Sequence, residues 1–140
     1  VGVPSLRAIA HAHAAWRGPL WAIIAAGRGR FAGALFMPGE PWPAPDDYHL
    51  ARLDALAPHP SAPTLYVGEL GAAERAALIQ LWGDAARLLE PAATLRRVAY
   101  LAELGWQRLA RGESDDVAAL SPIYPPSPGV PSAHSAAAQE

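Results

Sequence analysis

The chain has 140 residues, of which 51% are hydrophobic and 17% charged. This is enough sequence for one domain with a single core, and it excludes a wholly disordered chain. The formal charge of −2 at pH 7 disfavours a stand-alone binder of nucleic acid or of an anionic membrane. The absence of cysteine excludes a disulfide framework, a thiolate zinc site and a cysteine nucleophile.

The first part of the chain predicts a helix followed by a β-hairpin. An amphipathic helix begins near Ser5 and ends before Gly18, with its apolar positions at Leu6, Ile9, Ala10 and His13. Apolar runs over residues 20–26 and 30–37 flank a Gly-Arg-Gly turn, and this pattern predicts a hairpin. The large side chains of the second run fall on both of its faces, at Phe31, Leu35 and Phe36. We therefore expect other parts of the chain to cover both faces of the sheet.

The middle of the chain predicts a loop, a short helix and a strand-turn-helix unit. Five prolines or glycines over residues 38–45 prevent both a helix and a strand ladder there. Asp46 or Asp47 is predicted to cap a brief helix that carries Leu50, Leu53 and Leu56. Residues 64–67 predict a buried strand, and residues 68–71 a turn. The following helix places Leu78, Leu81 and Trp82 on one stripe.

The last part of the chain predicts a short strand over residues 86–89 and then the most regular helix. Thr94 is predicted to open this helix, whose apolar face consists of Leu95, Val98, Ala102, Gly105 and Leu109. Residues 125–140 have almost nothing apolar to bury, and we expect them to form a disordered tail rich in Pro, Ser and Ala. The alternation of strands and helices predicts an α/β domain.

Two places in the sequence are candidates for binding an anion. Gly68, Glu69 and Gly71 lie in a strand-to-helix turn, where free backbone amides can approach the phosphates of a nucleotide. Glu69 argues against phosphate, so a plain turn is the alternative. Arg28 and Arg30 flank the hairpin tip, where two guanidinium groups can hold a phosphate or a partner's carboxylate. Their alternative role is as solvated turn charges.

The remaining polar residues form no recognisable catalytic group. His11 and His13 point in different directions on a helix, so they do not form a metal-binding pair. The adjacent carboxylates at 46–47 and 115–116 are typical of helix caps or turns. Of the five tryptophans, three cannot all lie in the centre of the core, namely Trp42, Trp82 and Trp106. An exposed tryptophan would mark a contact surface. The sequence therefore predicts neither a metal site nor a catalytic residue.

Several segments resemble the C-terminal half of the TsaB (YeaZ-like) family. Residues 1–10 resemble its Gly-Val-Ser-Ser-Leu-Glu-Ala-Leu-Ala stretch, and residues 24–36 resemble its hairpin Asp-Ala-Arg-Arg-Gly-Glu-Val-Tyr-Ala-Ala-Leu-Tyr. Residues 67–71 are similar to its Val-Gly-Asp-Gly-Ala motif, and residues 99–124 to its final helix and its Pro-hydrophobic-Tyr-Leu-Arg ending. Ala25 stands where the hairpin usually has Asp, and Tyr124 is followed by Pro-Pro instead of Leu-Arg.

The resemblance implies that residues 1–124 form a single actin-like, ribonuclease-H-like lobe with a central mixed sheet, a β-hairpin and flanking helices. The family's N-terminal lobe, with its Gly-Pro-Gly-Ser-Phe-Thr-Gly-Leu-Arg motif, is absent from this sequence. TsaB proteins are non-catalytic partners in the machinery that makes threonylcarbamoyladenosine in tRNA. The resemblance therefore implies a cytoplasmic scaffold that binds a TsaD-like subunit and a TsaE-like ATPase.

Further expectations concern the ligands and the alternatives to this function. The chain itself is expected to hold no cofactor, with ATP or ADP reaching the complex through a partner subunit. It is expected to meet tRNA only indirectly, and exposed apolar faces would allow a homodimer. An actin-like domain that binds adenine nucleotide is the main alternative function, and a peptidase of glycoprotease type is a second.

Overall fold

The computed structural model describes residues 1–57 and 60–125. The chain forms a mixed α/β fold around one five-stranded sheet. The helices are α1 (Ser5–His11), α2 (Leu53–Leu56), α3 (Ala72–Trp82) and α4 (Val98–Ala110), and the strands are β1 (Leu20–Gly27), β2 (Arg30–Phe36), β3 (His49–Ala51), β4 (Thr64–Gly68) and β5 (Ala86–Leu88). Residues 126–140 of the tail predicted at 125–140 lie outside the described part of the chain, as do residues 58–59.

The predicted hairpin forms the centre of the sheet, whose strand order is β3-β2-β1-β4-β5. Strand β1 pairs antiparallel with β2 and parallel with β4. Strands β3 and β5 form the two edges, with β3 antiparallel to β2 and β5 parallel to β4. The predicted hairpin and the predicted strand-turn-helix unit are both confirmed. Their long apolar runs suit the most buried positions of a sheet.

Two hydrophobic clusters cover the two faces of the sheet, as predicted. On one face α1 packs against β1, and α4 lies outside α1. On the other face α2 and α3 cover the sheet. Phe36 belongs to the first cluster and Phe31 to the second, whereas Leu35 of the same strand is 37% exposed. Of the predicted stripe on α3, Leu78 is fully buried, Trp82 is partly buried and Leu81 is exposed.

The start predicted for the short helix, at Asp46 or Asp47, is wrong. Residues Pro45–Asp47 form a single 3-10 turn, in which the Asp47 carboxylate accepts a hydrogen bond from the Ala44 amide at 2.9 Å. Leu50 then lies in β3, opposite Ala32 of β2, and α2 begins only at Leu53. The backbone hydrogen bonds available along the free edge of β2 outweigh the weak local helix preference of this segment.

The prediction that Thr94 opens the last helix is also wrong. Thr94 ends a 3-10 turn, Pro91–Thr94, and its hydroxyl donates a hydrogen bond to the Pro91 carbonyl at 2.9 Å. Leu95 and Arg97 are extended, so α4 begins at Val98. A threonine hydroxyl that bonds within its own turn is unavailable to cap the next helix.

The hydroxyl of Tyr66 is buried in the second cluster and has no hydrogen-bond partner among the described residues. Burial raises the pKa of Tyr66 from 10.0 to about 12. The folded state therefore holds the phenol proton more tightly than the unfolded state does.

We expect the free energy of unfolding to fall as the pH rises from 10.0 to about 12, where only the unfolded state has released the Tyr66 proton. Tyr66→Phe should flatten this decline, and at pH 7 it should stabilise the chain by about 1 kcal/mol, because it removes a buried hydroxyl without a partner. Urea unfolding of both proteins across this pH range measures the effect. Tyr124→Phe is the control, since Tyr124 is 84% exposed. Parallel pH profiles for the natural chain and Tyr66→Phe would contradict the expectation.

Candidate functional site

The two predicted anion-binding places lie at the same end of the sheet. Strands β1 and β4 run parallel, so their carboxyl ends point to the same edge of the sheet, and β1 extends four residues beyond the pair Ile23 and Gly68. The turn at residues 68–71 follows β4, and the hairpin turn with Arg28 follows β1. A hydrogen bond from the Ala25 amide to the Glu69 carboxylate at 3.0 Å joins the 68–71 turn to strand β1. Sequence reasoning found both places but did not put them at the same end of the sheet.

The Glu69 side chain is occupied by contacts within the chain. One carboxylate oxygen accepts the Ala25 amide, and the other forms an ion pair with Arg96 at 2.6 Å. The Glu69 backbone amide also donates to the Ile23 carbonyl at 2.9 Å. Glu69 therefore connects β1 with the segment that precedes α4. Sequence reasoning missed Arg96, since 27 positions of sequence separate the two residues of the pair.

Gly68 is required by the geometry of the turn. Its φ angle of +115° lies in the left-handed region, which residues with a side chain rarely adopt. A Cβ atom at this position would also clash with the Ile23 carbonyl oxygen of the neighbouring strand. The close approach of β4 to β1 explains both the positive φ angle and the lack of space for a Cβ atom at Gly68, and no ligand is needed to explain them.

Gly71 lies directly before α3, where no side chain caps the helix. Glu74 stands in the first turn of α3, and its Oε2 would lie 2.7 Å from a Cβ at Gly71. A carboxylate near a helix N-terminus interacts favourably with the helix dipole. Glu69 and Glu74 therefore give the turn a negative charge, which would repel a phosphate. The nucleotide contact at Gly68, Glu69 and Gly71 stays a prediction.

The hairpin tip presents Arg28 to solvent. Gly27, Arg28 and Gly29 all have positive φ angles, of 77°, 55° and 69°. Arg28 is exposed, whereas Arg30 is half-buried and begins β2 opposite Gly27. The two arginines therefore differ in accessibility, and Arg28 is the better placed for contact with another molecule.

A charged cluster centred on Arg108 was missed by sequence reasoning, which assigned Asp115 to a helix cap or a turn. The Arg108 guanidinium donates to both Asp115 carboxylate oxygens at 2.9 Å and to Glu113 at 2.7 Å. It also donates to the Gly2 carbonyl at 2.6 Å, and the Gly2 amide donates to Asp115 at 2.6 Å. We call this set of contacts the Arg108 clamp. It joins the first residues of the chain to the segment after α4.

The Arg108 clamp changes the protonation behaviour of its members. Hydrogen bonds from Arg108 hold the pKa values of Asp115 and Glu113 below their ordinary values. The same bonds raise the pKa of Arg108. All three groups are therefore held in their charged forms at neutral pH, which suits a structural connection better than proton transfer.

A groove of about 720 Å³ lies beside the Arg108 clamp, between the start of α1, the sheet and the segment after α4. Its lining includes Arg7, Ile24, Tyr48 and Leu120. The Arg7 Nε and the Tyr48 hydroxyl are both buried and have no hydrogen-bond partner among the described residues. Burial raises the pKa of Tyr48, while the nearby Arg7 charge partly opposes this. The groove has the volume of a small-molecule site, although its orphaned polar atoms lie beneath its surface.

Residues 1–57 and 60–125 contain no group of three or more His, Asp or Glu side chains placed to hold a metal ion. No helix within these ranges has the length and apolar character that crossing a membrane requires. Comparison of the chain with protein-family models, with curated proteins and with solved structures found no match.

Proposed function

We propose that the chain is a TsaB-like lobe that acts as a non-catalytic scaffold in the complex that forms threonylcarbamoyladenosine in tRNA. The observation that carries this proposal is the position of the β1–β2 hairpin. The segment that resembles the family's hairpin is the central antiparallel pair of a mixed sheet with helices on both faces. This is the arrangement that an actin-like, ribonuclease-H-like lobe would have.

A scaffold acts through contacts with other proteins, and the hairpin tip is suited to such a contact. Arg28 is exposed at the tip, beyond the carboxyl end of β1. Its planar guanidinium can form two parallel hydrogen bonds to a carboxylate of a partner. The proposed partner is the TsaD-like subunit, with the TsaE-like ATPase joining the assembled pair.

The contacts of Glu69 further support a scaffold over a nucleotide-binding domain. Its carboxylate is bound by the Ala25 amide and by Arg96, so its place in the turn is explained by intrachain contacts. A phosphate bound at Gly71 would lie near this carboxylate and would be repelled by it.

Isothermal titration of the chain with the TsaD-like subunit of the same organism tests the proposal. We expect binding by the natural chain and an affinity about tenfold lower for Arg28→Glu, equal to the loss of about 1.4 kcal/mol. Arg87→Glu is the matched control, because Arg87 is exposed on the edge strand β5 and the charge change is the same.

Absence of binding by the natural chain, or equal weakening by both variants, would contradict the proposed contact. A thermal-shift measurement with ATP and ADP provides the other arm. Stabilisation by either nucleotide in the absence of a partner would favour the nucleotide-binding alternative.

A further inference from the structure

The groove beside the Arg108 clamp has a cation on its wall that lacks a counter-ion. Arg7 is half-buried there, and no carboxylate among the described residues lies within ion-pair distance of its guanidinium. Its Nη2 donates to the Pro43 carbonyl at 3.2 Å, its Nε is buried without a partner, and its Nη1 has no partner and is not buried. Charges that are removed from water are normally paired, so these unused donors point to an anion from outside the chain.

Tyr48 supplies a second unused polar group at the same place. It is 3% exposed and lines the groove, and its hydroxyl has no hydrogen-bond partner among the described residues. The Arg7 charge is close enough to oppose the effect of burial on the Tyr48 pKa, but the two side chains lack the geometry of a hydrogen bond. One acceptor group placed between them would satisfy both, which removes the cost of leaving each without a partner.

The rest of the groove offers apolar surface to a ligand. Ile24 and Ala32 are paired across β1 and β2 and form its floor, and Leu120 and Ile123 lie on the wall that follows α4. The volume of about 720 Å³ is that of a site for a small molecule and far exceeds the needs of a single ion. The ligand that fits is therefore an anion with an apolar body.

The charges around the groove favour a ligand with one negative charge. Glu113 and Asp115 also line it, so the Arg108 clamp brings two carboxylates and one guanidinium to the same wall. A phosphate group with two negative charges would be repelled by these carboxylates more strongly than a carboxylate would be. A carboxylate is also planar, and it can accept two parallel hydrogen bonds from a guanidinium.

We propose that this groove binds a small monocarboxylate with an apolar chain, of the class of the medium-chain fatty acids. Its carboxylate lies at Arg7 and Tyr48, and its chain lies over Ile24 and Ala32. The Arg7 Nε and the Tyr48 hydroxyl lie just beneath the groove surface, so Arg7 turns away from Pro43, where a single hydrogen bond holds it, to admit the carboxylate. The proposal goes beyond the scaffold function and does not depend on it, because binding of the TsaD-like subunit is measured separately and through Arg28.

Isothermal titration of the full chain with decanoate, below the concentration at which it forms micelles, tests the proposal. Decanoate should bind at one site. Decanol has the same chain without the charge, and its affinity should be at least tenfold lower, because it cannot pair with Arg7. Acetate has the carboxylate without the chain, and at the same concentration it should not displace decanoate.

Two substitutions in the groove separate the charge from the fold. Arg7→Met keeps an apolar side chain of similar length and should lower the affinity for decanoate at least tenfold. Arg52→Met is the matched control, because the Arg52 side chain is 81% exposed next to α2, on the other face of the sheet. Tyr48→Phe should lower the affinity about fivefold without lowering the melting temperature, since its hydroxyl has no partner in the free chain. Circular dichroism checks that each variant is folded.

Photocrosslinking locates the ligand in the natural chain and needs no substitution. A decanoate analogue with a diazirine at the end of its chain should attach to Ile24, to Ala32 or to residues 119–125, as identified by mass spectrometry. Arg7 also borders a smaller cavity of about 260 Å³ that Trp42 lines. Attachment beside Trp42 would place the ligand in that cavity and overturn the proposal.

Three further results would overturn the proposal. The first is the absence of decanoate binding by the natural chain. The second is an equal affinity for decanoate and decanol, which would show that the site does not recognise the charge. The third is an equal loss of affinity in Arg7→Met and Arg52→Met, which would show that only the total charge of the chain matters.

Discussion

Replacement of Gly68 by alanine is expected to have the largest effect of any single substitution considered for this chain. The new Cβ atom would clash with the Ile23 carbonyl oxygen, and φ would have to remain at +115°. The same carbonyl accepts the Glu69 amide, so any shift that relieves the clash also breaks this hydrogen bond. Overpacking and backbone strain together should cost about 4 kcal/mol, a large part of the stability of a small domain.

Urea denaturation followed by circular dichroism measures the cost, and the same turn supplies the control. Gly71→Ala keeps an ordinary φ angle of −73°, and its Cβ would meet only the flexible end of the Glu74 side chain. Gly71→Ala is expected to change the free energy of unfolding by less than about 1 kcal/mol, because alanine also restricts the unfolded chain and this offsets a cost in the folded state. Equal costs for the two substitutions would show that the pairing of β4 with β1 does not impose the geometry of Gly68.

The second largest effect is expected for Leu78→Ala. Leu78 is the one residue of α3 that is fully buried, and its side chain fills the cluster between α3, α2 and the sheet. Truncation removes apolar contacts and leaves a cavity, at an expected cost of about 3 kcal/mol.

The neighbouring residue provides the comparison for Leu78→Ala. Ile79 is 56% exposed on the same helix, and Ile79→Ala should change the free energy of unfolding by about 0.5 kcal/mol or less. The midpoint and slope of urea unfolding measure both variants. A slope that changes between them would point to a different unfolded ensemble, and similar midpoints would contradict the assigned burial of Leu78.

The elements that sequence reasoning predicted correctly are those whose signal lies within a few residues. The hairpin and β4 are apolar runs with glycine at their ends, and this local pattern is sufficient. Strand β3 has no such signal, because it consists of three residues that pair only with the edge of β2. The start of α4 was misplaced because Thr94 is a good capping residue in isolation, whereas its hydroxyl bonds within the preceding turn.

The candidate site was predictable only in part. The glycines and the carboxylate at residues 68–71 were visible in the sequence, but the partners of Glu69 lie on two other segments. The orientation of α4 was hidden for a related reason. Its apolar pattern indicates a packed face, whereas the Arg108 clamp, which includes Gly2 at a separation of 106 positions, turns Arg108 toward the body of the chain.

The Arg108 clamp also affects how the chain completes its fold during synthesis. Gly2 and Asp115 are separated by 113 positions, so Gly2 leaves the ribosome long before its partners exist. Helix α1 and the hairpin can associate earlier, whereas the first residues wait for α4. Contacts of such long sequence separation slow folding, because the chain must close a large loop before it gains them. Gly2 is therefore expected to be fixed in place only after Arg108 and Asp115 have been synthesised.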